Sequence, residues 1–195
     1  ELRLESIHLQ RYENIQLVVI DSSDDSTPET IQHFLKRRPV NAGSYHHKSL
    51  NISEARNLGL KLAEGQIITF VDADAYVEPD YVENVVSYSL KDPNIHVYGL
   101  FTLLHLCLKT FSYTAYEGWP VIRGLYTKNL LETVGKFDES FTTYEDLNFK
   151  IKSLQKIGER KFQNKVVYAP DVVLYNDWED GQTILGHFRK CAWFG

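Results

Sequence analysis

Asp72 and Asp74 are two carboxylates spaced i, i+2 at the end of the apolar run Ile67-Ile68-Thr69-Phe70-Val71. Two acids at one strand end repel each other, so a cation beside them lowers the energy of the pair. A divalent metal carrying a phosphorylated substrate is the natural candidate, because hard cations take oxygen ligands and complete their shells with substrate phosphates. The run is short and is bounded by Gly65 on one side and the acids on the other. It therefore reads as a buried strand rather than a helix. The tip of such a strand is the sheet edge where open α/β proteins bind ligands.

Four further residues, Asp21, Arg56, Glu145 and Asp146, have side chains suited to chemistry, and Asp21 would project at the same edge. Asp21 ends the β-rich run Ile15 to Ile20, and a carboxylate there can accept a hydrogen bond from an imide N–H such as that of uracil. The competing reading is a turn and cap cluster, Asp21-Ser22-Ser23-Asp24-Asp25-Ser26, in which Asp24 and Asp25 serve the backbone. Arg56 lies one turn into an expected helix, and its planar, permanently charged fork suits a diphosphate. The alternative is a surface Arg paired with Glu54 or Glu64, worth little stability. Glu145 and Asp146 stand at a loop-to-helix junction, where acids are also favoured simply by the helix macrodipole. The histidines show no ligand spacing, and His46 and His47 read as solvated loop residues. Trp119 and the tail residues Arg189, Lys190 and Trp193 could stack on sugars or meet phosphates. Core packing for the Trp and a solvated basic patch for the tail are equally good readings.

The elements that must position these residues alternate. A helix is expected from Leu2 to near Arg11, then the strand ending at Asp21. A second helix starts at Thr27-Pro28 and ends before Pro39. Residues 41–51 read as a polar loop. Ser53 can cap a helix over Glu54 to Glu64, with Gly59 allowing close packing and Asn57 fixing local backbone. After the strand to Val71, a helix follows Pro79 to about Leu90. The second half is less regular: Ile95 to Leu108 is β-leaning, Leu130 and Leu131 sit on a short helix ending at Gly135, and a helix from Asp146 stops at Gly158. Val166 to Tyr168 and Val172 to Tyr175 read as two short strands around Pro170. Strands alternating with helices imply a mainly parallel sheet covered on both faces. With no internal repeat or linker, one domain over 1–195 is expected.

The 195 residues are 43% hydrophobic and 24% charged, ordinary for a globular protein. The net charge of −5 argues against nucleic-acid binding by phosphate neutralisation. Cys107 and Cys191 form neither a disulfide framework nor a metal-ligand spacing, which points to a reducing, cytoplasmic setting. No apolar run is long enough to span a bilayer. The sequence contains no Met, which points to a piece of a longer chain.

Three motifs fall in one order: Val18-Val19-Ile20-Asp21-Ser22-Ser23-Asp24-Asp25-Ser26-Thr27; then Ala55-Arg56-Asn57-Leu58-Gly59 with Phe70-Val71-Asp72-Ala73-Asp74; then Gly135-Lys136-Phe137-Asp138-Glu139 with Tyr144-Glu145-Asp146. Together they resemble the family 2 glycosyltransferases over nearly the whole chain. The resemblance implies a GT-A fold: a single Rossmann-like α/β domain with a mixed, mainly parallel central sheet flanked by helices. Residues 1–100 would form the nucleotide-sugar half and 101–195 the acceptor half. Such proteins usually open with a strand, whereas this chain opens in the helix that follows it, so the first strand is expected to be missing.

The same resemblance implies an inverting, metal-dependent transfer from a nucleotide diphosphate sugar, a UDP-sugar in the first instance, to a glycan or lipid-linked hydroxyl. Asp21 is assigned to the base and Arg56 to the diphosphate. Asp74 is assigned to Mn²⁺ or Mg²⁺, with Asp72 toward the ribose or a metal-bound water. Asp146 is the implied general base, with Glu145 supporting it. A His common among relatives after the Glu-Asp helix is replaced around Tyr175-Asn176-Asp177-Trp178, so Asn176, Asp177 or His187 competes for the third ligand position. The polymer-synthase signature Q-x-x-R-W is absent, which points to transfer of a single sugar. The apolar-basic tail leaves a peripheral membrane contact open. Two other readings are a degenerate, non-catalytic nucleotide-sugar-binding domain and a haloacid dehalogenase-like phosphatase. The latter also places Asp-x-Asp after a strand but fits Ala75-Tyr76 poorly.

Overall fold

The computed structural model describes residues 2–37, 41–47, 49–73, 75–91, 96–105, 110–113, 124–163 and 166–177. Along these the order is α1 (Leu2–His8), β1 (Gln16–Asp21), α2 (Thr27–Arg37), β2 (Asn41–His46), α3 (Ile52–Leu62), β3 (Ile67–Thr69), β4 (Ala75–Val77) and α4 (Tyr81–Lys91). There follow β5 (His96–His105), β6 (Thr110–Tyr113), β7 (Gly124–Thr127), α5 (Lys128–Val134), α6 (Glu145–Ile157), α7 (Glu159–Gln163) and β8 (Val166–Asp177).

The chain is α/β with a mixed sheet, as expected. Strands β1 and β2 form a parallel pair, and β3-β7-β5-β8-β4 form a path with β6 alongside β5. The parallel share is smaller than expected. Among the described strands β1·β2 and β5·β8 are parallel, while β3·β7, β4·β8, β5·β6 and β5·β7 are antiparallel. The strands of the irregular second half interleave with those of the first, which helix–strand alternation along the chain does not reveal.

The layers follow from period-two alternation on β7. Leu125 packs with Ala75, Val77, Tyr81, Val85, Ala169, Val172 and Leu174 on one face. Its neighbour Tyr126 points to the other, joining Leu130, Leu131, Val134, Phe137, Phe149 and Phe162. Both faces are thus covered, by α4 on one side and by α5 and α6 on the other. Tyr81 ties α4 to the end of β3: its hydroxyl lies 2.9 Å from Thr69 Oγ1, and complete burial pushes its pKa up to about 12.

Three local expectations are corrected. Residues 41–46 form a strand, not a loop. Asn41 to His46 carry few apolar side chains, and the strand exists because its backbone pairs with β1 in register from Gln16↔Asn41 to Asp21↔His46. The N-cap of α3 is Asn51 rather than Ser53. Asn51 Oδ1 accepts from the Glu54 amide at 2.9 Å and the Glu54 carboxylate accepts from the Asn51 amide at 2.7 Å, a reciprocal capping box. The two strands expected around Pro170 are one, β8, whose register against β5 jumps from Gly99↔Ala169 to Leu100↔Val173. Pro170 falls inside that irregularity, where a missing N–H breaks no regular ladder. The stops at Gly135 and Gly158 hold as expected, with φ of 90° and 85° that suit glycine.

Candidate functional site

The first two turns of α3 form the hub of the site. Asn57 Nδ2 donates to the Phe137 carbonyl at 3.0 Å and to Glu139 Oε1 at 2.9 Å, and its Oδ1 accepts from the Phe137 amide at 2.9 Å. Asn51 Nδ2 donates to the Glu139 carbonyl at 2.9 Å, and Ser53 Oγ to the Phe141 carbonyl at 2.7 Å. One helix face therefore fastens the whole 137–141 segment, which leads directly into Glu145 and Asp146. Asn57 does fix backbone, as expected, but backbone 80 residues away. Gly59 is less demanding than expected, since a Cβ there would meet Ile20 Cγ1 at an ordinary 3.8 Å.

Arg56, on the same helix, is 8% exposed. Its Nη1 donates to Glu145 Oε1, and Nη2 lies 3.6 Å from Asp72 Oδ1. Its guanidinium carbon stands 5.9 Å from the Phe70 ring centre and 5.8 Å from that of Phe137. Those rings belong to an aromatic cluster in which Phe137 stacks on Phe149 at 4.7 Å and Phe70 meets Tyr126 edge-on at 5.7 Å. The structure thus brings Arg56, Asp72 and Glu145 together, with apolar rings excluding water around the cation.

Glu145 opens α6 and is itself 7% exposed. The residue before it, Tyr144, holds a left-handed backbone at φ 59° and ψ 21°. A non-glycine residue in that region carries strain, which the surrounding structure must over-determine. Here the anchored 137–141 segment and the buried Glu145 lie on either side of it. Asp146 follows, partly buried. Burial pushes its pKa up, and the adjacent Glu145 adds to this, while its bond from the Leu147 amide and the charge of Arg56 work the other way; the net shift is upward. An elevated carboxylate pKa suits a group that takes and later releases a proton.

Asp21 ends β1 and is 9% exposed. Its Oδ1 accepts from the Ser23 amide at 3.2 Å and from Ser23 Oγ at 2.8 Å, and its Oδ2 lies 2.7 Å from His46 Nδ1. Burial raises its pKa, but the bonds from His46 and Ser23 outweigh it, and the net shift is downward. His46 is therefore a partner of Asp21 rather than a solvated loop residue. It could be found only by knowing that 41–46 pairs with β1, for which no local signal exists. Asp25 accepts from the Thr27 amide at 2.8 Å, the turn role expected of it.

The sequence model of the Glycosyl transferase family 2 matches residues 2–139. The chain belongs to that family. Glycosyltransferase GlyA of Streptococcus pneumoniae is 29% identical over 184 residues, covering 85% of this chain and 25% of GlyA. The putative glycosyltransferase EpsH of Bacillus subtilis is 32% identical over 87 residues, 43% of this chain and 24% of EpsH. The chain thus spans about a quarter of the length of these relatives. Among solved structures, S. aureus TarS 1–349 in complex with UDP-GlcNAc matches with a TM-score of 0.72 at 18% identity, over 91% of this chain and 54% of that one. GalNAc-T7 with UDP, GalNAc and Mn²⁺ matches with a TM-score of 0.69 at 15% identity, over 91% and 40%. At those identities the likeness is one of fold, the GT-A glycosyltransferase fold. Membership also removes the haloacid dehalogenase-like alternative.

Several expected site residues of this glycosyltransferase domain, Asp74, Trp119, His187, Arg189, Lys190 and Trp193, lie outside the described residues. The β4–β8 register nevertheless pairs Ala75, the residue after Asp74, with Asn176. The backbone of that candidate third position is therefore beside the Asp-x-Asp turn. Among the described residues no group of three His, Cys, Asp or Glu gathers to hold a metal. The donor chemistry still fits one. Asp72 and Asp74 offer hard oxygens, and Mg²⁺-type sites typically use one or two carboxylates with substrate phosphates and water.

Proposed function

We propose that the protein transfers a sugar from a nucleotide diphosphate donor, a UDP-sugar, to a hydroxyl acceptor with inversion at the anomeric carbon. The observation that carries this reading is the buried cation Arg56, facing both Asp72 on the Asp-x-Asp turn and Glu145 beside Asp146. Donor-side and acceptor-side carboxylates are thereby neighbours across one guanidinium.

Asp21 binds the base. Ser23 and His46 hold the carboxylate in place and ionised, and one lone-pair site on Oδ2 can still accept an imide N–H. Asp72 and Asp74 would hold Mn²⁺ or Mg²⁺, which when bound supplies Lewis-acid stabilisation of the departing diphosphate. Asp146 removes the proton from the acceptor hydroxyl. The acceptor oxygen then bonds to the anomeric carbon as its bond to the diphosphate oxygen breaks. Attack opposite the leaving group inverts the centre, and the proton rests on Asp146. The UDP complexes of TarS and GalNAc-T7, proteins of the same fold, support the choice of donor, and the Mn²⁺ of GalNAc-T7 supports the choice of metal.

The test is UDP release from UDP-GlcNAc and other UDP-sugars by the full-length protein with Mn²⁺. Asp146→Asn should lower turnover by about 10²–10⁴-fold while leaving UDP affinity near that of the wild type. Nucleotide binding with equal turnover in both proteins would support a non-catalytic binding domain instead.

A further inference from the structure

We propose that Arg56 is a positioning residue that braces Asp146 through Glu145 and ties it to the Asp-x-Asp turn, rather than a ligand of the donor diphosphate. This inference rests on the transfer reading above and assigns a role within that site.

Arg56 is 8% exposed, and both of its terminal nitrogens face carboxylates, Glu145 Oε1 and Asp72 Oδ1. Its guanidinium carbon lies over the rings of Phe70 and Phe137. Glu145 is buried as deeply and has its charge compensated by this cation. Removing one partner of such a pair leaves an uncompensated buried charge, which shifts its neighbours. The neighbour here is Asp146, next in sequence on α6 and in the field of both charges. The anchor of α3 onto 137–141 fixes the other end of the same segment, so the start of α6 is held from both sides. A planar fork reaches two carboxylates at once, which an ammonium does less well.

Opposite electrostatic signs make the brace testable. Removing Arg56 leaves Glu145 bare beside Asp146 and moves the acid limb of the rate profile to higher pH. Removing the Glu145 charge moves it to lower pH. A residue holding the fold alone moves neither in this pattern.

The experiment uses Arg56→Gln, Arg56→Lys, Glu145→Gln and the Arg56→Gln/Glu145→Gln double variant in the full-length protein. Calorimetry with UDP and Mn²⁺ gives donor-side affinity, and UDP release from UDP-GlcNAc gives kcat across pH. Arg56→Gln should lower kcat about 10²-fold through misplacement of the base, a loss at least about tenfold larger than its effect on UDP affinity. Arg56→Lys should fall between it and the wild type. The double variant should recover part of the loss and return the acid limb toward its wild-type position. A fall in UDP affinity with kcat unchanged would overturn the proposal and make Arg56 a diphosphate ligand. Independent, multiplicative effects of the two substitutions would overturn it too. If Arg56→Gln does not fold, Glu145→Gln decides by its limb shift to lower pH and Arg56→Lys by its loss of kcat against unchanged UDP affinity. If the wild type binds UDP but shows no turnover, the transfer reading fails. The brace is then decided by NMR titration of the Asp146 carboxylate, whose pKa must still rise in Arg56→Gln and fall in Glu145→Gln.

Discussion

Asn57 and Phe137 hold each other twice: the Asn57 side chain donates to the Phe137 carbonyl at 3.0 Å and accepts from the Phe137 amide at 2.9 Å. This pair is why the Ala-Arg-Asn and Gly-Lys-Phe-Asp-Glu motifs belong together. One amide side chain satisfies both backbone groups of a buried residue that has no strand partner there. Asn57→Ala leaves both groups unpaired, at roughly 1–3 kcal/mol for each. We expect a loss of about 2–4 kcal/mol in urea unfolding, with the start of α6 loosened as well, read by faster amide exchange over 137–146. A loss below about 0.5 kcal/mol, the range of an ordinary surface substitution, would show that water replaces the side chain.

Asp146 carries a raised pKa because it is partly buried. A base works only when ionised, so turnover should fall on acidification with a midpoint above the ordinary Asp value of 3.8. The stability effect has the opposite sense. The folded state holds this proton at pH values where the unfolded chain has released it, so Asp146 weakens the fold as pH rises from the unfolded value through the folded one. Asp146→Asn should therefore be more stable than the wild type at neutral pH, as measured by thermal unfolding, and the gain should shrink at acidic pH. An equal Tm difference across that window would refute the burial argument.

Asp21 behaves in reverse. His46 and Ser23 depress its pKa, so its contribution to stability is present above the unfolded value of 3.8 and is lost as pH falls through the lower, folded value. Asp21→Asn should remove that acid-side loss. It should also weaken UDP binding by about tenfold, one charge-assisted hydrogen bond to the imide. Unchanged UDP affinity in calorimetry would reduce Asp21 to a turn residue.

Metal dependence gives a separate test. A ligand that binds only the folded state raises its stability, so UDP should raise the Tm more with Mn²⁺ than with EDTA. Asp74→Ala should abolish that difference, whereas Asp21→Asn should only reduce it. A metal-independent Tm shift retained in Asp74→Ala would exclude the ligand role of Asp74.

Much of this molecule is written in short stretches of sequence. The run from Ile67 to Thr69 is β-forming on its own, and Gly135 and Gly158 end helices because their φ of 90° and 85° suits glycine best. Asn51 with Glu54 three residues on is a capping signal readable without a structure. The ordered motifs sufficed to indicate the family. Local chemistry could not reveal β2, since Asn41 to His46 become a strand only by pairing with β1.

Partner choice was beyond the sequence for the same reason. Nothing near Arg56 indicates that its charge meets Glu145, 89 residues later, rather than Glu54 or Glu64 nearby. Nothing near Asp21 indicates that His46 will reach its carboxylate. Residue type determined which chemistry each side chain could do. Which charges were buried together, and so which pKa values rose or fell, was decided only when the tertiary fold removed water from between them.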